Sequence, residues 1–215
     1  MTCCSGSVCS GTNRFFTRWA RKYAKEFRKK GLEKTQKYLL EGIARVPLTG
    51  PEVLDIGCGV GALHLTLLQH GASRATGVDV AEGMLVEARR LAEENRVADR
   101  TSYIQNDFTK VSHQVSEADI TILDKVVCCY EKVDDLVERS LEKTRRIYAI
   151  THPRESFIVR WSFLLHIAFS KLFRAAFHPY WHNWQNLRSI ITARGFRPVY
   201  ENSTFFWNVL VFERA

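Results

Sequence analysis

The run Val53-Leu54-Asp55-Ile56-Gly57-Cys58-Gly59-Val60-Gly61 has the residue types and spacing to hold a ligand against its own backbone. An apolar strand delivers the chain to a GxGxG turn, and a helix follows. Glycine lets the main chain turn sharply and lets a ligand lie directly on main-chain N–H groups. The pattern differs from the GxGxxG of dinucleotide sites, and an acid, Asp55, stands before it. Asp55 would repel a pyrophosphate but suits a ligand with a cationic end. A second acid, Asp79, closes the next apolar run (Ala75 to Asp79), 24 residues after Asp55. An acid at that strand end commonly accepts both hydroxyls of a ribose. The plainer reading is that Asp79 caps the helix starting near Ala81.

Asn106-Asp107-Phe108 follows the third predicted strand. There Asp107 is placed to accept an adenine amino group and Phe108 to supply an apolar wall, unless the three form only a surface turn. Cys58, Val80 and Met84 complete this adenosine-shaped set, Met84 being equally suited to core packing. An adenosine ligand with a cationic end is S-adenosylmethionine, whose ammonium and sulfonium match Asp55. A fourth segment, Leu123-Asp124-Lys125-Val126-Val127-Cys128-Cys129-Tyr130, ends the fourth strand. Ligands of parallel sheets sit outside the carboxyl ends of the strands, so Asp124 to Tyr130 should face the reacting methyl group. A sulfonium is already activated, so alignment and exclusion of water are the main demands on the protein. A carboxylate acceptor needs no base; a phenol, thiol or amine can require one. The candidate catalytic residues are Tyr23, Tyr130 and His152. Tyr23 could equally pack on the core and His152 could simply fix a loop. Arg154 is a candidate partner for an acceptor carboxylate, or a solvated arginine.

The elements that must position these residues alternate. Strands are predicted at Glu52–Ile56, Ala75–Asp79, Thr101–Gln105, Ala118–Leu123 and Arg146–Thr151, with helices at Ala62–Gln69, Ala81–Asn95 and Val133–Leu141. Helices at 155–178 and 184–194 follow, then strands Pro198–Glu201 and Phe205–Phe212 across an Asn202-Ser203 turn. This order predicts an α/β, Rossmann-like, doubly wound, mostly parallel seven-stranded sheet with a C-terminal antiparallel hairpin and an N-terminal helical extension. Residues 1–13 read as a flexible Cys-bearing tail, residues 14–48 as a basic amphipathic helical cap broken at Gly31, and residues 49–215 as the main domain. The aromatic stretch 155–184 reads as a lid over a bulky hydrophobic substrate, or as an interfacial membrane helix.

Composition narrows the class. The chain has 215 residues, enough for one medium domain, and a net charge of +8. From Arg14 to Arg45 there are eleven Lys/Arg and three Glu, which alone gives +8 and leaves the remainder neutral. A basic arm on a neutral body suggests a membrane surface or an acidic small-molecule substrate, and makes nucleic acid a less suitable partner. The longest uncharged run of the late apolar stretch, Trp161 to Ser170, is too short to span a bilayer. The expected location is therefore cytoplasmic, with peripheral membrane contact through the basic helix and 157–184. The six cysteines are Cys3, Cys4, Cys9, Cys58, Cys128 and Cys129. They show no CxxC pair, and no metal site is expected. A tail folded over Cys128-Cys129 would instead suit a thiol or metalloid acceptor.

Together these motifs resemble the class I S-adenosylmethionine methyltransferase superfamily over about residues 50–150, with the terminal hairpin matching by topology. The resemblance implies that Asp55, Gly57, Gly59 and Gly61 form its first motif, Asp79 its ribose acid and Asp107 its adenine-edge acid. LDKVVCCY, ITHPRES and FFTRWARKYA look most like the magnesium-protoporphyrin IX methyltransferase family, which implies methyl transfer to a tetrapyrrole carboxylate. Cys129 stands where some members carry a His. A membrane-associated quinone or lipid acceptor is the alternative within the same chemistry.

Overall fold

The computed structural model describes residues 7–173, 175, 177 and 179–215. Cys3, Cys4 and Arg174, and the side chains of Cys9 and Lys171, lie outside the described residues. A seven-stranded sheet runs in the order β3-β2-β1-β4-β5-β7-β6. Its strands are β1 (Glu52–Ile56), β2 (Arg74–Asp79), β3 (Thr101–Gln105), β4 (Ala118–Leu123), β5 (Thr144–Pro153), β6 (Phe196–Ser203) and β7 (Trp207–Arg214). The first five are parallel; β7 pairs antiparallel with both β5 and β6. Strand order reverses between β1 and β4, so the ends of these two strands diverge into a crevice where ligands of such sheets bind.

Helices cover both faces. On one face lie α1 (Ser7–Lys30), α2 (Lys34–Ile43), α3 (Ala62–Gln69) and α4 (Glu82–Glu94). On the other lie α5 (Phe108–Val111), α6 (Val133–Glu142) and α8 (Trp184–Ala193). Helical periodicity sets the buried stripes: Val133, Leu136, Val137, Ser140 and Leu141 on α6, and Met84, Leu85, Ala88, Leu91 and Ala92 on α4. In α3 Ala62 to Leu68 are all buried, since this helix lies between the sheet and its neighbouring helices. A further helix, α7 (Phe157–Leu172), follows β5.

Several boundaries differ from the sequence expectation. The N-terminal helix begins at Ser7, so residues 7–13 are helical. Asn13 Oδ1 accepts from Glu82 N (3.2 Å) and Thr17 Oγ1 from Gly83 N (3.1 Å), so α1 caps the start of α4. The final hairpin turns at Thr204–Phe206, because Asn202 and Ser203 pair within β6. That strand also starts two residues before Pro198, which the sheet tolerates because β6 is an edge strand with a register shift there.

Candidate active site at the carboxyl edge of the sheet

Glycine conformation shapes the first wall. Gly57 and Gly59 have φ of +65° and +54°, the left-handed region that glycine enters without strain. A Cβ on Gly57 would lie 2.4 Å from Val126 Cγ2, so this turn packs directly on the β4 loop. A Cβ on Gly59 would meet nothing within 4 Å, leaving its backbone open to a ligand. Gly61 starts α3, and a Cβ there would strike the His64 ring at 2.7 Å.

Asp79 locks this turn to the end of β2. Its Oδ2 accepts from Gly59 N (2.8 Å) and its Oδ1 from Ala81 N (2.8 Å). The capping and ligand readings of Asp79 therefore coexist. Burial pushes its carboxyl up to about 6, against the opposing pull of the Ala81 and Gly59 N–H groups. A ligand hydroxyl donates more strongly to the ionised form. Binding is thus expected to be full above about pH 7 and to weaken as pH falls through about 6. Stability of the free protein should move the other way: the folded pKa is raised, so the contribution of Asp79 is present at low pH and lost as pH rises through about 6. Parallel titrations and urea unfolding between pH 5 and 8 would show the two opposed trends.

Asp55, buried at the end of β1, is held by His64, whose Nδ1 donates to Oδ2 at 2.8 Å. His64 Nε2 lies 3.1 Å from the Tyr103 hydroxyl. At the end of β3, Asp107 Oδ1 accepts from both Thr109 N (3.0 Å) and Thr109 Oγ1 (2.8 Å), capping α5 and placing buried Phe108 against the same space. Thr109 Oγ1 in turn lies 3.2 Å from the Tyr130 hydroxyl.

These groups wall a cavity of about 460 Å³, within the range of small-molecule sites. One part is bounded by Asp55, Gly57, Cys58, Gly59, Asp79, Val80, Met84, Asn106, Asp107 and Phe108; elsewhere the wall is Asp124, Lys125, Val126, Cys129 and Tyr130. The helical extension supplies Thr12, Phe16, Tyr23, Glu33 and Gln36. The set expected from sequence thus converges, with two exceptions. Gly61 stands behind the wall. His152 is not brought to the cavity: it is buried, its ring stacks on Trp184 (centroids 5.0 Å), and its Nδ1 donates to Pro153 O at 2.9 Å. Its neighbour Thr151 reaches the site instead, donating to Asp124 Oδ1 at 2.8 Å and accepting from Lys125 N at 2.6 Å. Strand alternation makes the two mutually exclusive. Arg154 is exposed and outside the wall.

The sequence assigned no individual role to Lys125, Glu33 or Gln36, which form a polar group in the wall. Lys125 holds a left-handed backbone (φ +59°), and its ammonium pairs with Glu33 and lies over the Trp207 ring at 5.5 Å. Gln36 completes a capping box with Glu33 and donates through Nε2 to Asp124 Oδ2 at 3.3 Å. The E-x-x-Q spacing was a readable signal for that cap; the reach to β4 was not. Burial raises the Asp124 carboxyl, and the Tyr23 phenol is raised mainly by burial despite the nearby Lys125 charge. The Cys129 thiol is pushed well up by its contact with Cys128 and by burial, which opposes the thiolate that metalloid chemistry needs. No cluster of His, Cys, Asp or Glu among the described residues is suited to a metal.

Residues 53–151 match the methyltransferase domain family, which spans the glycine turn, both ribose-side strands and β5. Over this stretch, just under half of the chain, the sequence is similar to a methyltransferase domain. S-adenosylmethionine is the cofactor of this family, and the residues present fit it: an open Gly59 backbone, a half-buried acid in the Asp79 position, and apolar walls from Val80, Met84 and Phe108. A curated relative, the ribosomal protein L11 methyltransferase of Mannheimia succiniciproducens, is 37% identical over 78 residues, 36% of this chain and 27% of its own length. The chain therefore matches only about a quarter of that relative. The chain also superposes on magnesium protoporphyrin IX methyltransferase from Synechocystis PCC 6803 with bound SAH (TM-score 0.72, 22% identity, 95% of this chain and 96% of that chain). It is similar as well to an O-methyltransferase family 2 protein from Planctomyces limnophilus in complex with apigenin (TM-score 0.60, 16% identity, 86% of this chain and 63% of that one). At these identities the structures share the fold.

Proposed function

We propose that the protein transfers the methyl group of S-adenosylmethionine to a carboxylate of a bulky hydrophobic acceptor, a tetrapyrrole acid being the first to try. The observation that carries this reading is Lys125. Its ammonium stands in the cavity wall already paired with a carboxylate, that of Glu33, and beside the flat indole of Trp207. An acceptor carboxylate that displaces Glu33 would gain a charge-assisted partner beside an aromatic face. The structural likeness to a magnesium protoporphyrin IX methyltransferase supports the same acceptor class.

S-adenosylmethionine, when bound, supplies an electrophilic methyl on a sulfonium. The protein has to hold its adenosine by Asp79, Asn106, Asp107 and Phe108 and orient its cationic end near Asp55. Tyr23 and Tyr130 then stand beside the β4 loop, able to orient the acceptor oxygen. A carboxylate is nucleophilic without deprotonation, so the site need not supply a base, and the failure of His152 to reach the cavity is compatible with this chemistry. An acceptor carried in lipid, such as a quinone or lipid acid, would approach from α7, which exposes large apolar side chains and whose following segment is tied to the β4 loop through Tyr180 N and Cys128 O (2.7 Å). That observation favours this second class.

The test is methyl-ester formation from labelled S-adenosylmethionine with porphyrin, quinone and fatty acids. Lys125→Met should raise the KM of a carboxylate acceptor about tenfold or more with a smaller change in kcat, since a hydrogen bond to a charged group contributes roughly 1.5–3 kcal/mol. Glu33→Gln should lower KM by freeing the ammonium. Equal KM values in wild type and Lys125→Met would overturn the assignment of Lys125.

A further inference from the structure

The residues around the cavity account for its polar groups but leave one large surface unexplained. Among the described residues, α7 exposes Phe157 (76%), Trp161 (54%), Leu165 (50%), Phe169 (58%) and Leu172 (75%) to solvent. It is anchored by the few side chains that face inward: Val159 and Ser170 are buried and Phe163 packs on Trp181. Arg154 N donates to Phe206 O at 2.8 Å, which sets the exposed hairpin tip Phe205-Phe206 beside the start of the helix. Beyond its other end, Phe177 packs against Phe15 and Phe16 of α1, with centroids 5.3 Å apart in both pairs. One apolar surface thus runs from the hairpin tip along α7 to the first turns of α1. Soluble monomers rarely expose a contiguous apolar patch of this extent without a partner.

Charge identifies the partner. No acidic residue lies in α7, and α1 carries eight Lys/Arg against the single Glu26. Of these, Arg14, Arg18, Arg21, Lys22 and Lys25 are exposed. Lys22 lies over the exposed Trp19 ring at 4.9 Å, an aromatic-basic pairing suited to a headgroup boundary. No described helix is long and apolar enough to cross a membrane. At 16 residues, α7 is about 24 Å long and interrupted by Arg160. A short apolar helix beside a basic one is the arrangement of a segment lying in the interface plane.

We propose that α7, the Phe205-Phe206 tip and the basic face of α1 dock the protein on an anionic lipid surface. The segment after α7 is tied to the cavity loop, since Tyr180 N donates to Cys128 O at 2.7 Å and His182 Nε2 donates to Tyr130 O at 2.8 Å. Docking therefore places the β4 loop near the bilayer, where a hydrophobic acceptor is concentrated. The docking surface stands whether or not the acceptor is a carboxylate.

The test is co-sedimentation of the full chain with phosphatidylcholine vesicles, with and without 30% phosphatidylglycerol (a chosen composition in which each anionic lipid attracts basic residues). The expected result is binding to the anionic vesicles with a blue-shifted tryptophan emission, and weak binding to the neutral ones. The double variant Trp161→Asp/Phe169→Asp and the triple variant Arg18→Glu/Arg21→Glu/Lys25→Glu should each lose tenfold or more in partition. Both should keep S-adenosylhomocysteine binding, because none of these residues lines the cavity; that retained binding reports an intact fold and is independent of the acceptor. Wild-type partition that is absent, or unchanged in the double variant, would overturn the proposal. So would a lipid-free dimer that the double variant dissociates, which would assign the surface to a second copy.

Discussion

Asp79→Ala is expected to weaken binding of S-adenosylmethionine and S-adenosylhomocysteine about ten- to a hundredfold, roughly 1.5–3 kcal/mol. Two losses combine. The ribose hydroxyls lose a charged acceptor, and the Gly59 and Ala81 N–H groups lose the carboxylate that now holds the glycine turn against β2. Asp79→Asn separates the two, because an amide still accepts from one backbone N–H but carries no charge. If the charge on the ribose matters most, Asn should bind nearly as weakly as Ala while unfolding closer to wild type. Calorimetric titration of the three proteins decides it; an Ala variant that binds within twofold of wild type would remove Asp79 from the ribose site.

The second large effect is on stability. His64→Ala should destabilise the fold by about 2–4 kcal/mol, the range for emptying a fully buried site and stranding its polar partners. The ring is fully buried between Asp55 and Tyr103, and Gly61 packs against it so closely that a Cβ there would reach 2.7 Å. Deleting it leaves the Asp55 carboxylate, itself buried, without its imidazole partner. Tyr103→Phe removes only the outer member of the chain and should cost about 1 kcal/mol. Urea midpoints with unchanged slopes would measure both losses as stability. A His64→Ala midpoint equal to wild type would mean that the imidazole contributes nothing to holding Asp55.

Much of this was legible in the residues, because the determinants were local. Alternating apolar runs ended by glycine or acid located the five parallel strands, and three-four spacing located α4 and α6. The GxGxG turn and Asp79 converge on one cavity because strand ends in a parallel sheet share an edge. What escaped the sequence depended on distant partners. The small polar residues 7–13 resemble a tail until Asn13 and Thr17 meet the exposed N–H groups of Glu82 and Gly83. Lys125 looks like an ordinary loop lysine; only its left-handed backbone, fixed by Thr151, turns the ammonium to Glu33. His152 is the candidate that the structure places away from the cavity. Strand residues alternate in direction, so Thr151 and His152 could not both face Asp124, and the stack on Trp184 decided which one did.

The central claim is that the glycine turn and Asp79 hold S-adenosylmethionine. Its most direct test is calorimetric titration of the wild-type chain with S-adenosylhomocysteine at pH 7.5, with NAD as the competing adenosine ligand. The structure predicts saturable one-to-one binding of S-adenosylhomocysteine and none of NAD, whose pyrophosphate would meet Asp55. No heat with S-adenosylhomocysteine, or tighter binding of NAD, would contradict the assignment of the cavity.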